Sequence, residues 1–286
     1  MRASTRSLAA FKAQLRDDWD RVAPAWQEWW SLFEQGAQPL TDRLLELAGV
    51  GEGQRVLDIA TGIGEPAVSA ARLTGSTGQV VAIDQSRRML AIARDRAERV
   101  GLRNITFREL DAGNLDFPDN SFDACLCRWG LMYMDDLVGI LDRVRRHLVP
   151  GGYLAAAVWA ASPKVPFMSL PVAVIARTLR LPPQPGDASF NLANRHALAD
   201  VFGQAGFIKV QSETVTLTMP FTDAATYTRY LQAVSPALIA MLAPLPPDQQ
   251  NLLWKAVGEA ARQRYAGADG VLRIPGEAIC MAGQKP

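Results

Sequence analysis

The sequence predicts a doubly wound α/β fold, and three observations carry that expectation. From Gln54 onward, apolar runs of strand length alternate with amphipathic stretches of helical length, the pattern of a parallel sheet covered by helices on both faces. The first run, Val56-Leu57-Asp58-Ile59, leads straight into Ala60-Thr61-Gly62-Ile63-Gly64, a glycine turn at which backbone can approach a ligand with no Cβ in the way. Arg146-His147-Leu148-Val149-Pro150-Gly151-Gly152 then sets a helix end and a tight turn before another apolar run.

In chain order, strands are expected at 54–60, 79–83, 105–110, 123–127 and 152–158, with helices near 65–74, 86–100 and 135–148. Upstream, residues 8–48 put Trp19, Val22, Trp26, Trp29, Trp30 and Phe33 on one helical face, and Pro24 predicts a break near Ala23, hence two N-terminal helices. After Val158 the prolines at 163, 166, 171, 182, 183 and 185 predict a loop with short helical pieces from Ala160 to Asn191. A helix over Arg195 to Ala205 closes at Gly206, and Phe207 to Met219 alternates as a long strand. Residues 223–265 read as helical, interrupted at Pro244-Leu245-Pro246-Pro247, before a last, antiparallel strand near Val271 to Ala282. The expected division is an N-terminal helical lid at 1–50, a core at 51–160, and the rest of the core with a cap at 160–190 and 223–265.

Composition narrows the partners. The chain has 286 residues, 49% of them hydrophobic, enough for a substantial core. Thirty basic residues against 29 acidic ones leave a net charge of +1, with no electrostatic footprint for nucleic acid or an anionic membrane. Cys125, Cys127 and Cys280 lack zinc-ligand spacing, so no metal is expected and the thiols read as reduced core residues. Met1-Arg2-Ala3-Ser4-Thr5-Arg6 does not open a signal peptide, and no later run is apolar enough for stable membrane insertion; the expectation is a cytoplasmic protein.

The glycine turn carries the chemistry. In open α/β sheets a ligand lies outside the carboxyl ends of the strands where strand order reverses, and Asp84, closing the second strand, is placed to accept ribose hydroxyls. Its competing role is to cap the helix that starts near Ser86. Gly62-Ile63-Gly64-Glu65-Pro66-Ala67 alone also satisfies a dinucleotide pattern, so the wider context has to decide.

That context resembles the class I S-adenosylmethionine (SAM)-dependent methyltransferases, within them the group that includes the ubiquinone and menaquinone biosynthesis enzymes. The resemblance is clear over residues 15–160 and loose beyond. It rests on Asp58, Ala60, Gly62 and Gly64, on Asp111-Ala112 followed by Leu115 and Phe117-Pro118, and on the Pro-Gly-Gly turn; Ala60 stands where a glycine is commoner. It implies a seven-stranded Rossmann-like methyltransferase sheet with N-terminal helices and a helical cap inserted before the last strand. It also implies SAM held by Asp58, Thr61, Gly62, Gly64, Asp84, Gln85, Met89, Asp111, Ala112 and Arg128, with adenine between Asp111 and Ala112. Trp19 and Trp26 are expected to roof the cofactor, a ring face stabilising its sulfonium.

Such an enzyme mainly aligns acceptor, methyl and sulfur and excludes water. A general base is harder to find; the candidates are His196 and Tyr133, with His147 a helix C-terminal residue. Phe167, Met168, Phe190, Tyr227, Tyr230, Leu231 and Met241 suggest an apolar lining, hence a small natural-product, quinone or terpenoid-like acceptor methylated on oxygen, nitrogen or carbon. The aromatic N-terminal helices suit a homodimer as readily as a lid. The rival readings are a nicotinamide-dependent oxidoreductase, opposed by Asp58 and Asp111-Ala112 and by the lack of a Tyr-x-x-x-Lys pair; a nucleic-acid methyltransferase, which lacks its basic face here; and a non-enzymatic SAM-binding regulator.

Overall fold

The computed structural model describes residues 8–181 and 188–286. Met1 to Arg6, Pro182, Pro183 and Pro185 lie outside the described residues. Seven strands form one sheet: β1 (Arg55–Ile59), β2 (Gln79–Asp84), β3 (Ile105–Glu109), β4 (Phe122–Arg128), β5 (Leu148–Trp159), β6 (Ile208–Phe221) and β7 (Leu272–Gln284). Their order is β3-β2-β1-β4-β5-β7-β6. The first five are parallel, and β7 runs antiparallel between β5 and β6. β1 and β4 are neighbours, so strand order reverses at β1, where β1 leads out to β2 and β3 and β4 leads the other way.

The central strands are buried on both faces, which is why β1 and β4 read as nearly unbroken apolar runs. On the edge strand β6, alternate residues reach solvent. Helices α2 (Ala67–Thr74), α3 (Arg87–Arg99) and α4 (Leu137–His147) connect the parallel strands. Ser86 caps α3 by accepting the Met89 N–H, and Asp136 caps α4 by accepting the Gly139 N–H, each satisfying an orphan donor of the first turn. Helices α7 (Ala224–Val234), α8 (Pro236–Leu242) and α9 (Pro247–Tyr265) lie between β6 and β7 in sequence, as expected.

Two expectations are corrected. The N-terminal segment is one helix, α1 (Leu8–Leu47), unbroken at Ala23 although it contains Pro24 and Pro39. Both prolines are exposed, while Val22, Ala23, Phe33, Ala37 and Leu40 are buried, so the packing of its apolar residues holds the helix through both positions. The stretch after Ala160 is not mainly loop: Pro166–Leu179 forms helix α5. Pro166 begins it, where no N–H is needed. Pro171 inside it strips the Phe167 carbonyl of its i+4 donor, and the buried Tyr227 hydroxyl donates to that carbonyl at 2.8 Å.

A final helix, α6 (Arg195–Gln204), capped by Asn194, precedes β6. Cys125, Cys127 and Cys280 are free and buried. No helix of the described residues is long and apolar enough to cross a membrane.

Candidate functional site

The turn after β1 is held in a left-handed conformation at three points: Ala60 with φ 57°, Gly62 with φ 55° and Gly64 with φ 107°. Its backbone is tied down by the Thr61 N–H to the Ile83 carbonyl at 3.0 Å and the Gly64 N–H to the Thr61 carbonyl at 2.9 Å. Asp84 joins the two strand ends: one oxygen accepts the Gly62 N–H at 2.9 Å and the other the Ser86 N–H at 2.8 Å. Burial raises the Asp84 pKa, against which these N–H groups pull it down. A Cβ on Gly62 would meet nothing within 4 Å, so the space above the turn is open there. A Cβ on Gly64 would press on Ala93 of α3 at 3.2 Å, so this glycine serves close packing between turn and helix.

Beneath the turn lies a buried charge cluster. Asp58 is fully buried; one of its oxygens accepts the Ala67 N–H at 3.1 Å, and the other has no partner. Burial pushes its carboxyl up to about 7, opposed by the nearby Thr61 hydroxyl, the Arg128 guanidinium and the Ala67 N–H. Thr61 lies close enough to favour the carboxylate, but its hydroxyl has no partner of hydrogen-bond geometry. Around Asp58 stand Glu65, raised by burial, and Glu34, with Arg96 and Arg128 as counter-ions. Three carboxyl groups therefore share two guanidinium groups, and burial pushes Asp58 and Glu65 towards their neutral forms.

Arg128, expected to hold the cofactor, has protein partners of its own in this structure. Its guanidinium is committed to Glu34 of α1 and to the Thr41 hydroxyl at 2.7 Å, tying α1 to the end of β4. Arg96 likewise donates to the Ile63 carbonyl, pairs with Glu65 at 3.5 Å and lies 3.6 Å from the centroid of the Trp30 ring. The sequence reading missed Glu34 and Thr41. Their signal was present: two polar residues seven apart on the apolar face of α1 are two helical turns apart and both point inward.

Gln85 and Asp111 line a cavity of about 380 Å³ with Lys12 and Arg16 of α1, Glu109 and Asn114. Asp111 caps the short turn Ala112–Asn114 through the Gly113 N–H at 2.7 Å and pairs with Lys12 at 3.0 Å. Met89 is buried against Val22 and Ala23, with Trp19, Trp26 and Ile63 packed around them. A larger open hollow of about 630 Å³, between Arg94, Glu98, Arg103 and Phe107, contains none of the expected site residues.

Aromatic rings continue along the carboxyl edge. Trp19 meets Tyr133 edge-on at 5.7 Å, Trp26 meets Phe33 at 5.0 Å, Phe33 meets Trp129 at 5.3 Å, and Trp129 stacks on Trp159 at 4.4 Å. Trp129 follows β4 with φ 61°, a costly conformation for a bulky residue. The Tyr133 hydroxyl lies 3.0 Å from Ser189 Oγ. His196 is exposed on the first turn of α6, and among the described residues its ring makes no hydrogen bond, so it is not part of the enclosed site. Of the expected acceptor lining, Phe167, Tyr227, Tyr230 and Leu231 are buried in the core, and Met168, Phe190 and Met241 pack against it partly buried.

Residues 56–152 match the family model described as a methyltransferase domain. Over those residues the chain is similar to methyltransferase domains. Over 111 residues the chain is 43% identical to the ubiquinone/menaquinone biosynthesis C-methyltransferase UbiE of Cellvibrio japonicus, covering 38% of this chain and 45% of that protein. The UbiE of Pseudomonas putida is 44% identical over the same length, with 38% and 43% covered. The chain thus spans less than half the length of these curated relatives.

Among solved structures, a phosphoethanolamine N-methyltransferase 2 of Haemonchus contortus, in complex with S-adenosylhomocysteine, superposes with a TM-score of 0.54 at 22% identity, covering 87% of this chain and 52% of that one. The [4+2]-cyclase SpnF superposes at 0.55 with 24% identity, covering 87% and 81%. The chain therefore shares the Rossmann-like fold of these proteins, and the presence of a cyclase among them means the fold alone does not fix the reaction.

Proposed function

We propose that the chain is a SAM-dependent methyltransferase acting on a small, largely apolar acceptor. The single observation that carries this reading is the turn of Gly62, open above and hydrogen-bonded to Asp84, over the unpartnered Asp58 oxygen at the strand-order reversal of a methyltransferase domain. These residues fit the cofactor: the glycine leaves room, and Asp84 retains lone pairs for ribose hydroxyls. Thr61, Gly64, Gln85, Met89, Asp111 and Ala112 complete the proposed contacts. Bound SAM supplies a methyl group already activated on a sulfonium.

The protein's own work is then alignment and the exclusion of water, which can supply on the order of 7–11 kcal/mol of such a barrier. Trp19, Trp26 and Trp129 offer apolar surface and ring faces over the edge where the acceptor would meet the turn. Tyr133 is the remaining candidate for handling an acceptor proton, since His196 stands outside the enclosure. The similarity to the quinone-biosynthesis enzymes and the aromatic edge favour a ring-bearing acceptor, quinone-like or terpenoid-like. Residues 1–50 would act as the lid over a core at 51–160.

Calorimetry on the purified chain with SAM, S-adenosylhomocysteine and NAD(H) tests the reading. The expected result is binding of the first two at micromolar concentration or tighter, abolished by Gly62→Val, with none for NAD(H). NAD(H) binding without SAM binding would replace the methyltransferase by an oxidoreductase.

A further inference from the structure

We infer that Lys12 of α1 competes with the cofactor for Asp111, so that the first turns of α1 and the nucleoside occupy that carboxylate in alternation. This rests on the proposed function. Asp111 is the residue that the resemblance gives to the adenine amino group, yet in this structure each of its oxygens already has one partner, so an incoming amino group must displace Lys12 or share the carboxylate with it. Oδ1 accepts the Gly113 N–H at 2.7 Å, and Oδ2 faces Lys12 Nζ at 3.0 Å. Lys12 also reaches Asp135 at 3.5 Å, so its ammonium bridges the turn after β3 and the turn after β4.

The same helix holds on further along without using the nucleoside's groups. Asp20 accepts from the Ser86 hydroxyl and the Arg88 N–H at the start of α3, and Glu34 holds the buried Arg128. The middle of α1 is therefore anchored through buried or backbone partners. Its first turns are held by an ion pair whose partners are each about 30% exposed. The cavity of about 380 Å³ lies between these turns and the ends of β2 and β3, with Lys12 and Arg16 on one wall and Gln85, Glu109, Asp111 and Asn114 on the other. An amino group entering that cavity meets Asp111 already neutralised, and displacing Lys12 costs the pair. Lys12 retains Asp135 after displacement, which keeps that cost small and the exchange reversible.

A ligand must lose whatever it costs to free its site, so removing the competitor raises apparent affinity. A part-exposed ion pair contributes little, which sets the expected gain for Lys12→Met at about two- to fivefold in SAH affinity. Raising salt should likewise tighten SAH binding to the wild type, because screening weakens the Lys12 pair while SAH has no net charge of its own to lose. Lys12→Met should lose that salt dependence.

Titration calorimetry with SAH on wild type and Lys12→Met, at low and at 0.5 M salt, decides the matter. Tighter, salt-insensitive binding by the variant supports competition. Unchanged or weaker binding by the variant, with the wild type binding normally, overturns it and makes Lys12 a bystander or a direct contact. If the variant folds poorly, the wild-type salt series alone still decides, since weaker binding at high salt contradicts the inference. Absence of SAH binding by the wild type removes the proposed function itself and this inference with it.

Discussion

The carboxylate of Asp84 accepts the backbone N–H of Gly62 at 2.9 Å, so the last residue of one strand fixes the turn that follows its neighbour. Asp84 also accepts the Ser86 N–H, leaving it shared between holding the turn and whatever sits above it. Replacing it with alanine removes the acceptor of two backbone donors in a buried setting. We expect Asp84→Ala to lower the melting temperature and to weaken SAM binding at least tenfold, on the order of 1.4 kcal/mol. Asp84→Asn, which retains one acceptor oxygen, should lose less of both. Paired thermal melts and calorimetry check this, and equal affinity for wild type and Asp84→Ala would remove the residue from the cofactor site.

Asp58 makes a pH prediction. Its carboxyl is raised to about 7 by burial, whereas an unfolded aspartate titrates near 4. Between those values the native state holds a proton that the unfolded state has lost, so stability falls as pH rises through that window and levels off above it. The fall should be on the order of a few kcal/mol. Denaturant midpoints from pH 4 to 8 measure it, and Asp58→Asn should flatten that part of the profile. A profile unchanged in Asp58→Asn would place the titrating group elsewhere.

Ala60 stands in a left-handed conformation with φ 57°, at a position where the resembling family commonly has glycine. A left-handed L-residue costs about 1–2 kcal/mol, while glycine's extra freedom in the unfolded chain returns about 0.4–1 kcal/mol of that. Ala60→Gly should therefore stabilise the protein by about 0.5–1 kcal/mol, readable as a rise in the chemical denaturation midpoint. The reverse change nearby should fail: a Cβ on Gly130 would fall 2.6 Å from Ala60 Cβ and 2.8 Å from Cys127 Sγ.

The sheet was legible because its signals are local. Burial on both faces writes β1 and β4 as apolar runs, and Ser86 marks the start of α3 by its own hydrogen bond. The turn at Gly62 to Gly64 was legible because only certain residues tolerate its φ angles. What the sequence misjudged depends on tertiary partners. Pro24 and Pro171 read as breaks, since a window along the chain shows the lost N–H but not the tertiary packing of α1 or the Tyr227 hydroxyl that compensates at Pro171. The tie between Arg128 and Glu34 was not legible because the two residues are 94 apart in the chain. The apolar residues of α7 read as a binding surface because a core-facing stripe and a pocket-facing stripe have the same spacing.

Tyr227 offers the sharpest test of that account. Its ring is fully buried, and its hydroxyl donates to the Phe167 carbonyl that Pro171 leaves without a helical donor. Tyr227→Phe would leave that buried carbonyl unsatisfied and should destabilise by about 1–3 kcal/mol. Pro171→Ala restores an N–H that can close the helical hydrogen bond to Phe167, so in that background the hydroxyl has less to do. The double variant should recover a substantial part of the Tyr227→Phe loss, a coupling of about 0.5–2 kcal/mol in a double-mutant cycle. Urea denaturation of the four proteins gives the coupling directly. Strict additivity would mean that the hydroxyl and the proline are independent, and that α5 accommodates Pro171 by some means other than Tyr227.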